Sequence, residues 1–392
     1  MNILFYSYFK PIPTTGGIER VTDIIGSGLS KLSYHCYVIY EKDIEGECSD
    51  CFMLCNLIPE EDTEKVTYLQ AYIQDNNIDV VVVQGRRDVL SLLKKAIKGT
   101  DCKLVYTLHS DPGYGYDTFN LSTLKHEIVN STGMLRLHKI FIMFLFPLYK
   151  FRVKQRLSFS YNEAYKLVDR FVLLSEAAVP YFLKLSNIND SSKISVISNP
   201  TTYDECLPVA EFEKKENIVL IVSRMEEHTK KLSMALKAWK SIENEPSMQE
   251  WSLDIVGDGV DIDAYKKWVK TKNVKRVRFW GYQDPDVFYR KSSIFLMTSV
   301  SEAWGMSIVE AQQQMCVPIA FDSYCAVRDI IKNNENGILV KYPSLKQFAR
   351  SILYLAKEIQ IRKSLALSGT YSTKSFSKNN VIRQWSNLFH SL

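Results

Sequence analysis

The chain has 392 residues, 46% of them hydrophobic and 24% charged, with a formal net charge of +5. That length calls for two domains, since one domain holds about 100–200 residues, and the composition excludes a chain dominated by disorder or low complexity. The modest positive charge suits phosphates or a membrane surface but falls short of the dense basic stripe of a duplex-binding protein, so no nucleic-acid partner is expected.

The opening MNILFYSYF lacks the basic start and small-residue cleavage site of a signal peptide and reads as a strand from the outset, which points to a cytoplasmic chain. Further strand candidates follow in chain order. In the first half they are residues 2–8 (NILFYSY), 35–40 (HCYVIY), 79–84 (DVVVVQ), 103–109 (KLVYTLH), 170–175 (RFVLLS) and 193–198 (KISVIS). Helical periodicity runs over 17–31, 64–75, 88–97 and 177–185. Strands apolar on both faces, alternating with helices, signify a parallel sheet covered by helices.

Two segments of this half stand apart. The eight cysteines are expected as reduced thiols. Cys48, Cys51 and Cys55 have a spacing that admits zinc, but no second CxxC or HxxxH supplies a fourth ligand, so the segment reads as a small-residue surface loop and no metal is expected. Residues 136–156 (RLHKIFIMFLFPLYKFRVKQR) set Arg136, Lys139, Lys150, Arg152, Lys154 and Arg156 around an aromatic, apolar block with no acidic residue. The longest apolar run, Ile140 to Leu148, is nine residues, against about 20 for a helix that crosses a bilayer. Two readings stand: an interfacial segment drawn to anionic lipid, or a buried helix with basic ends.

The same grammar restarts after residues 199–217, whose prolines and charges mark a linker. The second series of strand candidates is 218–224, 251–257, 277–281, 294–299, 317–321 and 337–341. The expected fold is α/β, two doubly wound Rossmann-like domains with a cleft between them, because ligands of open α/β sheets bind at the carboxyl ends of the strands. The expected division is 1–203 and 204–375, with a terminal helix over 376–392 returning to the first domain.

In the stretch EAWGMSIVE, Glu302 follows strand 294–299 and Gly305 permits a tight entry into a helix. Backbone NH groups of Trp304, Gly305, Met306 and Ser307 would then offer donors to an anion at the helix start. Glu310 sits one turn inside, where a planar carboxylate suits a vicinal diol. The alternative makes Glu302 a helix-start charge and Glu310 a surface residue.

A glutamate, seven intervening residues and a second glutamate resemble the hallmark of retaining family 4 glycosyltransferases of the GT-B fold. The resemblance implies that Glu302 contacts the transferred sugar and Glu310 the ribose of a nucleotide donor. It extends to TTGGIER, where Gly16 and Gly17 would let backbone NH groups approach a phosphate or the acceptor. It also includes SRMEEHTKK, whose Arg224 and Lys230 match the basic pair for the donor diphosphate, with Lys231 adjacent. His109, at the end of LVYTLH, matches a histidine near the reacting sugar; as a neutral imidazole it would hydrogen-bond a hydroxyl.

Weaker echoes are the loops VGDGVD and WGYQDP, which would place Gly257 and Tyr282 near the nucleotide. DID (261–263) and DPD (284–286) read as helix caps in preference to a metal-binding DxD. The chain departs from the family at AFDSYCAVRD (320–329), where a glycine pair and a glutamate are common, which leaves the donor's identity open.

The implied enzyme transfers a hexosyl unit from a nucleoside diphosphate sugar, a UDP-sugar before others, to a bacterial surface polysaccharide or lipid-linked glycan at the inner face of the membrane. It needs no cofactor or metal, and the resemblance implies that the domain over 1–203 binds the acceptor and that over 204–375 the nucleotide-sugar donor. Two rivals are a nucleotide-sugar epimerase of the same fold and a non-catalytic, membrane-associated nucleotide-sugar-binding protein.

Overall fold

The structure, a computed structural model, describes residues 1–129 and 131–392, apart from the side chains at 62, 63, 122, 126 and 127. The chain divides into two compact units, residues 1–200 with 377–392, and residues 201–376.

The first unit is a seven-stranded sheet of β1 (Asn2–Phe9), β2 (His35–Lys42), β3 (Phe52–Leu57), β4 (Val80–Gln84), β5 (Lys103–Thr107), β6 (Arg170–Leu173) and β7 (Ile194–Val196), in the order β3-β2-β1-β4-β5-β6-β7. Its helices are α1 (Gly17–Lys31), α2 (Asp62–Asp75), α3 (Leu90–Ala96), α4 (Leu121–Val129), α5 (Gly133–Phe144), α6 (Phe146–Leu167) and α7 (Val179–Ser186). The central strands are buried on both faces, as in Val80–Gln84, so their apolar runs fix a sheet covered from both sides.

The second unit is a six-stranded sheet of β8 (Glu216–Val222), β9 (Ser252–Val256), β10 (Val277–Gly281), β11 (Ser292–Met297), β12 (Val317–Asp322) and β13 (Ile338–Lys341), in the order β10-β9-β8-β11-β12-β13. Its helices are α8 (Glu227–Lys230), α9 (Leu232–Ile242), α10 (Ile262–Thr271), α11 (Asp286–Lys291), α12 (Met306–Gln313), α13 (Val327–Ile330), α14 (Leu345–Lys357) and α15 (Ile359–Ser372). The last helix, α16 (Lys378–His390), packs on α1 of the first unit, where Tyr34 Oη lies 2.7 Å from Ser386 Oγ.

Every strand pairing among the described residues is parallel. In both sheets the order reverses beside the first strand, between β1 and β4 and between β8 and β11. Such switch points open a crevice at the strands' carboxyl ends.

Four expectations need correction. Strand β3 was not foreseen: it takes up Cys55 of the supposed loop, and Cys48 and Cys55 form a disulfide where reduced thiols were expected. As an edge strand with Met53, Leu54 and Leu57 exposed, β3 lacks the buried alternation that reveals a strand in sequence. The strand predicted over 294–299 ends at Met297, and that over 103–109 ends at Thr107, so Glu302 and His109 lie further into their loops. The reading of 136–156 as a buried helix also fails. This segment is two helices meeting at Leu145 and Phe146; α5 buries no residue, and α6 buries none before Tyr161.

Candidate functional site

In the second unit, the residues after β8 and β11 converge at the switch point. Helix α8 is stitched to the end of β11: Thr298 Oγ1 donates to the Lys230 carbonyl at 2.8 Å, and the Val300 NH donates to the Thr229 carbonyl at 2.8 Å. This holds Lys230 so that Nζ lies 2.5 Å from Glu302 Oε1, with only 15% and 17% of the two side chains exposed. Lys230 also lines a small recess with Ser223, Thr298, Ser299 and Ser307. Lys230, three serines and a threonine thus border one recess beside the start of α12.

That helix start depends on Gly305, whose φ of 118° suits glycine and where an added Cβ would lie 2.8 Å from Tyr324 Oη. The first NH groups of α12, at Met306 and Ser307, have no acceptor within the helix. Trp304 is buried, its ring edge-on to Phe376 at 4.9 Å, so its side chain anchors the loop to the interior.

Glu310 is not a surface residue. At 4% exposure it accepts from Thr202 Oγ1 at 2.7 Å and from Tyr289 Oη at 3.1 Å. Burial, with the carboxylate second, pushes the Tyr289 hydroxyl well above its ordinary pKa, so it stays a donor.

Arg224 is exposed and forms no ion pair among the described residues, whereas Lys230 is spent on Glu302. Gly257 has φ 124°, and a Cβ there would fall 2.0 Å from the Ser223 carbonyl, so the loops after β8 and β9 approach each other as only glycine allows. Tyr282, in the loop after β10, is exposed.

The two acidic motifs cap helices, one of them at a distance. Asp284 Oδ1 accepts from the Asp286 NH at 3.1 Å. Asp261 Oδ2 accepts at 2.8 Å from the Glu227 NH, so it caps α8 and not its own helix α10. Among the described residues no cluster of His, Cys, Asp or Glu could hold a metal ion.

In the first unit, a cavity of about 420 Å³ lies at the β1/β4 switch point, lined by Tyr8, Ile18, Glu19, Gln84, Gly85, Arg86, His109 and Ser110. His109 Nε2 is 2.6 Å from Gln84 Oε1. An amide oxygen only accepts, so Nε2 carries the proton and donates. Burial lowers the imidazole pKa to about 4, so the ring is neutral at physiological pH with Nδ1 as an acceptor.

The glycine pair works otherwise than expected. Gly16 is extended at φ −167°, a conformation open to any residue, and a Cβ there would meet Glu19 Oε2 at 2.1 Å. The room left by glycine is therefore taken by the chain's own carboxyl group, folded back over the amino end of α1. Burial raises the Glu19 pKa above the ordinary carboxylate value. Arg86 is held by Asp88 through Nε at 2.8 Å and Nη2 at 2.6 Å, by Glu41 at 3.1 Å, and over the Tyr8 ring at 4.7 Å. Sequence reading singled out none of Tyr8, Glu19, Gln84 and Arg86. The available signal was position, because Tyr8, Gln84 and Arg86 sit at or just past strand ends and Glu19 lies inside the glycine motif.

Two doubly wound domains, each gathering polar groups at its switch point, define a protein of the GT-B architecture. Residues 15–205 match the profile described as Glycosyltransferase Family 4, and residues 204–369 match that described as Glycosyl transferases group 1. The chain resembles the poly(glycerol-phosphate) alpha-glucosyltransferase of Bacillus subtilis at 25% identity over 60% of its length, and the amylovoran biosynthesis glycosyltransferase AmsD of Erwinia amylovora at 26% over 58%. The matched parts span 34% and 63% of those two proteins, so the chain covers between about a third and two thirds of these relatives. HepE of Anabaena, solved in complex with UDP, superposes with a TM-score of 0.74 over 100% of both chains at 17% identity. Together these findings place the chain in a GT-B glycosyltransferase family.

Proposed function

We propose that the chain is a retaining glycosyltransferase that moves a hexosyl unit from a nucleoside diphosphate sugar, a UDP-sugar by preference, to a bacterial surface polysaccharide or lipid-linked glycan. The observation that carries this reading is the Lys230–Glu302 pair set beside Ser307 and the start of α12. The relatives named for polysaccharide and polyol-phosphate glycosylation, and the UDP complex of HepE, support it.

In this scheme the sugar–diphosphate bond loosens first and an oxocarbenium-like centre forms. An acceptor hydroxyl then attacks from the face the diphosphate leaves, and its proton passes to a departing phosphate oxygen. Arg224, Lys230 and the NH groups at the start of α12 offset the charge that grows on the diphosphate. Glu302 would hold the transferred sugar, His109 would lie near it as a neutral imidazole, and Glu310 would accept from the ribose. Gly257 and Tyr282 would border the nucleotide. Protein cations take the role of a metal, so the scheme needs no cofactor.

The test incubates the protein with a panel of nucleoside diphosphate hexoses, with and without glycan acceptors, and follows diphosphate release and product anomer by NMR. Release of UDP with the donor's anomeric configuration kept in the product is expected. Inversion, or no release from any donor, would refute the reading; an isomerised donor without acceptor would favour an epimerase, and tight binding without turnover a non-catalytic binder.

A second reading concerns a membrane partner. Helix α5 and the first half of α6 leave large apolar side chains exposed, Met134 at 84% and Phe144 at 78%, while Phe146 stacks on Phe119 of the same unit. The same stretch holds six basic residues and no acidic one between 136 and 156. Among the described residues no helix is long and apolar enough to cross a bilayer. We propose that these helices lie in the interface of an anionic membrane, apolar side chains inserted and each basic residue adding about 1 kcal/mol. The protein should sediment with vesicles containing phosphatidylglycerol and not with pure phosphatidylcholine. Phe141→Asp combined with Phe144→Asp should cut the bound fraction at least tenfold; equal sedimentation of that variant and the unaltered protein would sink the idea.

A further inference from the structure

Cys48, Cys51 and Cys55 have no part in the scheme above. Cys48 and Cys55, seven apart in sequence, are joined by a disulfide, and both are half-buried, not sealed in the core. The bond ties the loop after β2 to β3, an edge strand that buries little. Of its six side chains only Phe52 is buried, edge-on to Phe5 at 6.2 Å, while Met53, Leu54 and Leu57 are exposed. The loop itself reaches two neighbours. Ser49 Oγ donates to Asp23 Oδ1, and Ser30 Oγ donates to the Cys51 carbonyl at 2.8 Å, so the chain before β3 lies along α1. The loop's other end covers the segment between β1 and α1: Lys10 Nζ lies 3.3 Å from Asp43 Oδ1, and a Cβ on Gly46 would fall 2.7 Å from Ile12 Cδ1.

We propose that Cys48 and Cys55 are a reversible redox site, a dithiol–disulfide couple for small thiols of the glutathione class, whose state sets how firmly residues 43–57 hold α1 and the segment before it. In reduction the thiolate of a small thiol attacks one of the two sulfurs. The S–S bond breaks, the other sulfur leaves as a thiolate and takes a proton, and a mixed disulfide remains. A second small thiolate attacks the mixed disulfide at the small thiol's sulfur and frees the second cysteine. Two protein thiols and one small disulfide result, the two electrons having come from the small thiols; a small disulfide reverses each step. Cys51 lies inside the ring that the bond closes but takes no part. Burial above all pushes its thiol pKa up, and the Asp23 carboxylate adds to the rise, so it stays protonated near neutral pH and is a poor nucleophile for exchange. With the bond open, Phe52 is the one buried side chain left to anchor β3. A segment that buries so little opens locally at low cost, so the loss of its covalent tie is felt there first, and not in a central strand such as β5.

The test equilibrates the full chain in glutathione mixtures from oxidising to reducing, quenches with acid, and maps thiols by differential alkylation and mass spectrometry. Cys48 and Cys55 should pass from disulfide to thiol together, in one two-electron transition, with Cys51 a thiol throughout. Hydrogen exchange is then followed on the oxidised and the reduced chain. Amides of residues 10–16 and 43–57 should exchange about fivefold faster or more when reduced, and those of β5 at an unchanged rate. Cys55→Ser should show the fast exchange in both mixtures, and Cys51→Ser should leave the transition where it is. A disulfide that persists in excess reduced glutathione, thiols at both positions under oxidising conditions, a pairing through Cys51, or equal exchange in the two states would overturn the proposal. The unaltered chain decides the matter even if a variant does not fold. Neither readout requires turnover, so failure here leaves the transferase reading untouched.

Discussion

Lys230→Ala is expected to lower sugar transfer by about 10²–10³-fold, the loss typical of removing one preorganised group that faces developing charge. The effect should fall on kcat more than on KM, since the diphosphate carries more negative charge as it departs than when bound. The ammonium rests on Glu302 Oε1 at 2.5 Å. In the proposed scheme Lys230 serves this carboxylate and the diphosphate together, and the alanine variant would leave Glu302 without its Lys230 partner in a site that is mostly shielded from water. Some stability should be lost as well, about 1–2 kcal/mol for a partly exposed pair. Lys230→Arg keeps a charge on Glu302 and should restore most of that stability while recovering less of the rate, because the planar fork cannot repeat the point contact of an ammonium. Kinetics with the best donor, beside urea unfolding of all three proteins, would separate the two roles. A folded Lys230→Ala protein within threefold of normal kcat would reduce Lys230 to a structural partner of Glu302.

How far the sequence reveals this arrangement depends on the reach of each interaction. Helix α1 runs over Gly17–Lys31, as its periodicity predicts, because a glycine start and an apolar stripe are local facts. The same holds for β10, whose bounds coincide with residues 277–281. What escaped the sequence is made by partners distant along the chain. Asp261 caps a helix 34 residues earlier. Gln312, Gln313 and Gln314 look like a polar helix face, yet all are buried: Gln312 Nε2 donates to the Asn336 carbonyl at 3.1 Å, and Gln313 Nε2 to the Tyr203 carbonyl at 2.9 Å. The β11 end was placed two residues late because Thr298 and Ser299 read equally as strand or loop. Their side-chain and carbonyl bonds to Lys230 and Ser323 settle the matter. The spacing of Glu302 and Glu310 was plain, but their separate surroundings, one on a cation and one among hydroxyls, are a product of packing.

Glu310→Gln is expected to weaken UDP binding at least tenfold and to remove any preference for UDP over its 2′,3′-dideoxy analogue. The argument begins from the carboxylate's capacity. Two oxygens offer about four acceptor positions, and Thr202 and Tyr289 each engage one oxygen. In the proposed scheme the same carboxylate also accepts from a ribose diol, and the two hydroxyl donors fix the group in one rotamer. Glutamine preserves the shape but converts one oxygen to an NH₂ group. Either Tyr289, fully buried, loses its acceptor, or the ribose does. If the oxygen turns to Tyr289, the fold keeps its stability and the diol meets a donor where it needs an acceptor. If it turns to the ligand, Tyr289 is orphaned at about 1–3 kcal/mol, and the melting temperature falls by about 2–4 °C for each kcal/mol in a unit of this size. Calorimetric titration of UDP and its dideoxy analogue, together with thermal melts, distinguishes these outcomes. An altered melting temperature with unchanged discrimination between the two nucleotides would leave Glu310 as an interior acceptor and remove it from the donor site.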